Sequence, residues 1–381
     1  MKAYLPSYLK THNRKVIFDL LLHNKTMSRA EIVSITGMSF TTVSNVVDFL
    51  LENGIVRETD DAASSPNNLG RKRKSLRLCD DVYFAQAVNY EGEYLESAFV
   101  DLAGRTYDYQ IRPAEGFLDP EVQRKMADEL LEQRKTFRGK VLGVGLGLPM
   151  DVNPVSDEVY TIWNDGNRFA RKFQDVFSGF GQIADKILIG NDANFACAGE
   201  LYSRKVEEDR SGLCYLSLGT GLGAGFAFNG RIWEGDEYRS GEIGNMILQP
   251  TYQSQLRTAR ELKCENLINI QALENRFGVH FVSQEPIGQH QITEIIDYIL
   301  PVLSTVIYNV VQVMDIEHFT LSGIVPDKLG EELRTRLAEQ VNRMLQDDRN
   351  RISINGPACE HNVLVGAASM VFQKTILKEF S

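Results

Sequence analysis

Apolar positions recur at helical spacing along the start of the chain. Val16, Ile17, Leu20 and Leu21 share one face of a helix over residues 13–22. Ser28, with Glu31 three residues on, is a capping-box signature that opens a second helix over 29–36. Gly37 can end that helix with a positive φ. Ser39 starts a third helix, running to about Glu52, with Val43, Val46, Val47, Leu50 and Leu51 inward and Asn53-Gly54 as its stop. Helix, short glycine turn, helix is the helix-turn-helix pattern. Residues 55–58 and 75–78 read as two strands of a wing, joined by a polar segment rich in Asp, Ser and Asn.

Beyond residue 80 the pattern alternates between strands and helices, which predicts an α/β body. A helix is expected over 120–134 and a buried strand over 141–149. Lys186-Ile187-Leu188-Ile189 reads as a strand whose end carries Asn191-Asp192, where a helix begins. Leu216 to Phe228 is apolar, with glycines at 219, 221, 223 and 225, and is read as strand, turn and strand. Asn229-Gly230 is a hairpin signal. A loop ending at Glu242 follows. Residues 292–314 are helical in spacing with a kink expected at Pro301, 317–326 read as strand and turn, 331–345 as a helix, and 363–368 open a last helix.

A chain of 381 residues predicts two or three domains. Its 43% apolar and 24% charged residues suit a soluble protein, and no apolar run is read as membrane-spanning. Met1 to Pro6 carries no signal-peptide pattern, so a cytoplasmic protein is expected. Five scattered cysteines suit reduced thiols better than a disulfide frame. Charge is uneven: residues 1–78 carry +5 and the remainder −15. A polyanion would therefore meet the N-terminal part. The third helix offers Ser39, Thr41, Thr42, Ser44 and Asn45 to phosphates or base edges, but no Lys or Arg. Charge attraction would come from Arg71, Lys72, Arg73 and Lys74, just before the second wing strand.

Asn191-Asp192 at a strand end, the glycines 219–225 and Glu242 together resemble the ROK family (repressors, open reading frames and kinases), sugar-binding proteins of the two-lobed actin-like ATPase fold, which is ribonuclease H-like. The resemblance implies a winged helix-turn-helix over 1–79, a first lobe over 80–190 completed by a C-terminal helix 366–381, and a second, dimerising lobe over 191–365. It implies a sugar bound between the lobes by Asn191, Asp192, Glu242, Asn245 and Glu265, with Trp163, Asn164 and Asn167 in a further sugar loop.

Three departures from the family pattern bear on function. The first phosphate turn of family kinases, Asp-x-Gly-Gly-Thr, falls here on Asn89-Tyr90-Glu91-Gly92-Glu93, whose acids would repel a triphosphate. Asp101-Leu102-Ala103-Gly104 matches the element that follows it. Asn245 replaces a histidine, and the zinc-holding cysteine cluster is reduced to Cys264, so no metal site is expected. The resemblance thus implies a sugar-responsive regulator, a repressor more readily than an activator, without catalysis or cofactor. Its partners would be a double-stranded DNA operator and a sugar, and its assembly a homodimer or dimer of dimers. The alternatives are a sugar kinase with Asp192 as general base and a DNA-binding protein whose body only dimerises.

Overall fold

The computed structural model describes residues 6–24, 26–60, 74–92, 94–162, 168–183, 187–204, 212–248, 263–283, 285–346 and 352–376. The chain forms two compact units, residues 1–208 with 363–381, and residues 209–362.

The first unit begins with α1 (Pro6–Asn24), β1 (Thr26–Ser28), α2 (Arg29–Thr36), α3 (Phe40–Glu52), β2 (Val56–Asp60) and β3 (Lys74–Leu78). Ile17, Phe18, Leu21, Ile32, Val43, Val47, Leu50 and Leu76 are buried among these elements. The two helix starts follow from local chemistry. Glu31 N donates to Ser28 Oγ at 3.3 Å and Ser28 N to the Glu31 carboxylate at 2.7 Å, the reciprocal capping box. Gly37, at φ 68°, ends α2. Replacing Ser28 by alanine is expected to cost about 1 kcal/mol in urea unfolding, the usual worth of a cap; an unchanged midpoint would contradict it. The strands order as β1-β3-β2, antiparallel throughout, so the expected wing pair gains a third, three-residue strand. Arg29 binds Asp48 of α3 at 3.0 Å and Glu58 of β2 at 2.7 Å, and Glu58 also receives Lys74. Those hydrogen bonds, Lys74 first and then Arg29, hold the Glu58 carboxyl below its usual range.

The chain continues with β4 (Tyr83–Tyr90), β5 (Tyr94–Asp101), β6 (Thr106–Pro113), α4 (Pro120–Thr136), β7 (Lys140–Leu148), β8 (Val152–Asn153), β9 (Glu158–Ile162), β10 (Arg168–Lys172), α5 (Phe173–Val176), β11 (Ile187–Asn191) and α6 (Asp192–Ser203). The main sheet orders as β11-β7-β4-β5-β6, with β4, β5 and β6 antiparallel and β7 and β11 parallel to β4. Side chains alternate across it. Gln86 donates to Leu130 O of α4 at 2.9 Å, while Asn89 points to the opposite face, beside Gly147, Phe195 and Val363.

The second unit holds β12 (Leu213–Leu218), β13 (Leu222–Phe228), β14 (Arg231–Ile232), α7 (Glu265–Ile268), α8 (Ile270–Phe277), α9 (Gln289–Met314), β15 (His318–Ser322), α10 (Ile324–Leu329), α11 (Glu331–Leu345) and β16 (Ser353–Asn355). Its sheet orders as β14-β13-β12-β15-β16, with β12, β13 and β14 antiparallel and β15 and β16 parallel to β12. The five-stranded sheets of the two units therefore share one strand order, 3-2-1-4-5 counted within each sheet, the ribonuclease H-like arrangement. Asn229 and Gly230, at φ 53° and 69°, make the tight turn between β13 and β14.

α9 corrects the reading that no segment reaches membrane-spanning length: Gln289–Met314 is long and apolar enough by that test. Its apolarity is accounted for by packing, since Ile295, Ile296, Ile299, Leu303, Val306, Ile307 and Val310 are buried in the second unit's core. Pro301 lies inside this helix.

The last helix, α12 (Asn362–Thr375), returns to the first sheet, with Ala367 backing Gly145. It also meets α6: a Cβ built on Gly366 would lie 1.7 Å from Phe195 O. This packing puts α6 in the first unit, so the boundary falls at 208/209 where 190/191 is expected from sequence. The other end of α6 lies against α1. There Tyr202, half-buried, donates from Oη to Leu102 O at 2.7 Å. Burial first, then the carboxylates of Asp101 and Asp19, raise its phenol.

Candidate functional site

In the first unit the two residues at the end of β11 become the start of α6. Asn191 is the N-cap: its Oδ1 accepts from Asn194 N at 3.1 Å and its Nδ2 donates to Met150 O at 3.3 Å. Both amide atoms are thus engaged in building the strand end. Asp192 follows as the first helical residue, half-buried, with Oδ1 accepting from Ala193 N at 2.7 Å. A carboxylate here is favoured by the positive end of the helix. It lies at the carboxyl end of a parallel strand, where open α/β sheets bind ligands.

The turn between β4 and β5 is shaped by its own side chains. Asn89 is fully buried and donates from Nδ2 to Glu91 at 3.2 Å. Its Oδ1, and Oδ1 of buried Asn194, have no hydrogen-bond partner among the described residues. Glu93 lies outside the described residues. Asp101 is saturated by the next turn: Ala103 N, Arg105 N, Arg105 Nε and Tyr107 Oη all donate to it at 2.7–3.0 Å. Its work there is structural, closing the β5–β6 hairpin.

In the second unit three of the expected residues come together. Glu242 and Asn245 flank one short 3-10 turn, Ile243–Asn245, and Asn245 Nδ2 donates to Glu242 Oε2 at 2.6 Å. Glu265, the first residue of α7, turns towards Gly221 and Gly244; its Oε2 would lie 2.6 Å from a Cβ at Gly244. It also accepts weakly from Leu222 N and Lys263 Nζ, both at 3.4 Å. A Cβ at Gly244 would meet Leu222 O at 2.5 Å and Glu265 Oε2 at 2.6 Å, so the bare glycine lets the Glu265 carboxylate lie against the turn that carries Glu242 and Asn245.

Cys264 is buried and donates to the carbonyls of Ile243 and Gly244 at 3.4 and 3.3 Å. Burial first, then Glu265, pushes its thiol up to about 11, away from the thiolate that a metal needs. Among the described residues no group of three or more His, Cys, Asp or Glu could hold a metal ion. Trp163, Asn164 and Asn167 lie outside the described residues.

At the N-terminal end the expected polar readers divide. Thr41 and Asn45 are exposed on α3 and Ser44 is half-buried. Ser39 is the N-cap, its Oγ accepting from Thr42 N at 3.1 Å and lying 2.9 Å from Thr42 Oγ1, so these two hydroxyls are tied into the helix start. Lys74 pairs with Glu58. Arg71, Lys72 and Arg73 lie outside the described residues. Sequence reasoning sought hydrogen-bonding groups here and passed over Phe40, the first residue of α3, which is 61% exposed.

The ROK family's sequence model matches residues 86–374. A xylose repressor of Bacillus subtilis (strain 168) is 24% identical over 250 residues, covering 64% of this chain and 62% of that protein. The chain spans less than two thirds of the length of such curated relatives, 65% for a xylose repressor of Caldicellulosiruptor bescii. A solved ROK family transcriptional regulator, described as a homolog of E.coli MLC protein, superposes with a TM-score of 0.72 at 16% identity and covers 97% of both chains. A ROK hexokinase from Thermus thermophilus superposes at 0.58 and 17% identity, with 98% of its length on only 76% of this chain. These structural likenesses carry the fold.

Proposed function

The chain belongs to the ROK family, and from that premise we propose that it is a sugar-responsive DNA-binding regulator, a repressor of carbohydrate-utilisation genes, that works in the cytoplasm as a homodimer. The observation that carries this reading is what precedes the body. A whole family hexokinase is matched by 76% of this chain, and the N-terminal part holds α2, a glycine turn and α3 beside antiparallel strands. That is the make-up of a winged helix-turn-helix. The printed name of the B. subtilis relative, a xylose repressor, supports the same reading.

In this reading Thr41, Ser44 and Asn45 approach base edges, and Lys74 with Arg71, Lys72 and Arg73 meets phosphates. Asn191, Asp192, Glu242, Asn245 and Glu265 are the sugar contacts. Asp192 acts as a hydrogen-bond acceptor for a hydroxyl, not as a base. No phosphoryl transfer follows, since Asn89 and Glu91 stand where family kinases carry the acid and small residues of the phosphate turn. The kinase reading keeps Asp192 and the glycines of the β12–β13 turn in its favour.

One experiment separates the two. The full chain, mixed with a random duplex pool, is expected to enrich a pseudo-palindrome with half-sites about one helical turn apart, roughly 10 bp or a multiple. One member of a sugar panel is expected to change its affinity for that duplex. The same preparation, given ATP, magnesium and the panel, is expected to show no turnover. No enriched duplex, together with turnover near ~1 s⁻¹, would establish the kinase instead.

A further inference from the structure

Phe40 is an apolar residue in a place where burial would be expected. It stands three and seven positions before Val43 and Val47, the spacing of the inward face of α3, and both valines are fully buried. Phe40 itself is 61% exposed. A ring so exposed forfeits most of the stabilisation that burial would give it. Single exposed apolar residues are common on protein surfaces; what sets this ring apart is its position as the first residue of α3, the second helix of the helix-turn-helix.

The chemistry around it narrows the partner. The hydroxyls of Ser39 and Thr42, on either side of Phe40, are held in the helix cap. The first turn of α3 contains no acid, and Asp48, further along, is engaged by Arg29. The first turn of this thirteen-residue helix therefore carries no negative charge, and it presents an exposed phenyl ring with exposed Thr41 next in sequence and exposed Asn45 one turn further on. In a helix-turn-helix the N-terminal residues of the second helix are those that reach base edges in the major groove. The apolar group presented there is the C5-methyl of thymine, which Phe side chains contact.

We propose that Phe40 reads thymine methyl groups in the major groove of the operator. The proposal rests on the DNA-binding reading above and adds a base identity to it. It assigns the tip of α3 a preference for T·A pairs made by burial, with Thr41 and Asn45 left to hydrogen-bond neighbouring bases.

The test uses the full chain and the duplex it enriches from a random pool, with each thymine replaced in turn by uracil, which lacks only the methyl. At one or two positions per half-site, wild type is expected to lose affinity by about fourfold per methyl, the worth of burying one such group. Phe40→Ala is expected to bind the unmodified duplex as weakly as wild type binds the uracil duplex, and to be indifferent to the replacement. Affinity for unrelated duplex should not change. If uracil costs wild type nothing, or costs both proteins equally, Phe40 does not read thymine. If no duplex is enriched, the DNA-binding reading falls and this inference with it. The wild-type arm needs no variant, so folding of Phe40→Ala does not decide the outcome.

Discussion

Asp192→Ala is expected to leave operator binding intact and to abolish the response to sugar. Asp192 sits at the first position of α6, remote in sequence from α3, and its hydrogen bond to Ala193 N is local. Losing the carboxylate there costs the helix about 0.3–1 kcal/mol, too little to unfold a domain. The loss for a ligand is larger. A hydrogen bond to a charged group is worth about 1.5–3 kcal/mol, roughly tenfold to more than a hundredfold in affinity. Glu242→Ala tests the second unit in the same way and also releases Asn245, whose amide it holds at 2.6 Å. For wild type, sugar and operator should be coupled by about 1–3 kcal/mol, and reciprocally: operator changes sugar affinity by the factor by which sugar changes operator affinity. The measurement is operator affinity with and without sugar in all three proteins. Variants that still respond as wild type does would place the effector elsewhere.

Gly366→Ala is expected to be among the most damaging single substitutions in the first unit. Within a helix, alanine is ordinarily preferred over glycine by about 0.5–1 kcal/mol. Here the added Cβ would lie 1.7 Å from Phe195 O, 2.6 Å from Phe195 C and 2.8 Å from Gly199 N, all backbone atoms of α6. No rotamer change can relieve that, so α12 and α6 must separate. Overpacking of side chains costs about 1–3 kcal/mol, and a clash with backbone should reach or pass the upper end. Gly219→Ala is the control: nothing lies within 4 Å of its Cβ position. In urea or thermal unfolding Gly219→Ala should stay within about 0.5 kcal/mol of wild type. A Gly366→Ala protein as stable as wild type would mean that the two helices are less tightly packed than described.

What could be read from the sequence is what neighbouring residues decide among themselves. Ser28 with Glu31, Gly37, Asn229-Gly230 and the helix over 331–345 each carry their geometry in a few consecutive positions, and each is found where expected. The strand order 3-2-1-4-5 in both units is invisible to that reading, because it depends on pairings between strands far apart in the chain. β1 was missed for the same reason: three residues without a pattern become a strand because β3 offers them an edge. In the candidate site, Ser39 and Thr42 were expected at phosphates or base edges; hydroxyls three apart at a helix start also cap it, as these two do. Lys74, a phosphate candidate, also pairs with Glu58, a partner sixteen residues away that spacing alone does not reveal. Phe40 was passed over because hydrogen-bonding groups were sought there, and its spacing to Val43 and Val47 gives no sign that it is 61% exposed.

α6 gives the first unit a mechanical property. Asn191 and Asp192 stand at one end of it, and Tyr202, packed where α6 meets α1, stands at the other. Twelve helical residues span about 18 Å at 1.5 Å each, with no loop between. A flexible link would dissipate a small displacement; a single rod carries it from end to end within one element. The Asp192 end and the end that meets α1 therefore belong to one continuous element. A substitution that reseats Tyr202 at one end would therefore act on the same rod that carries Asp192 at the other.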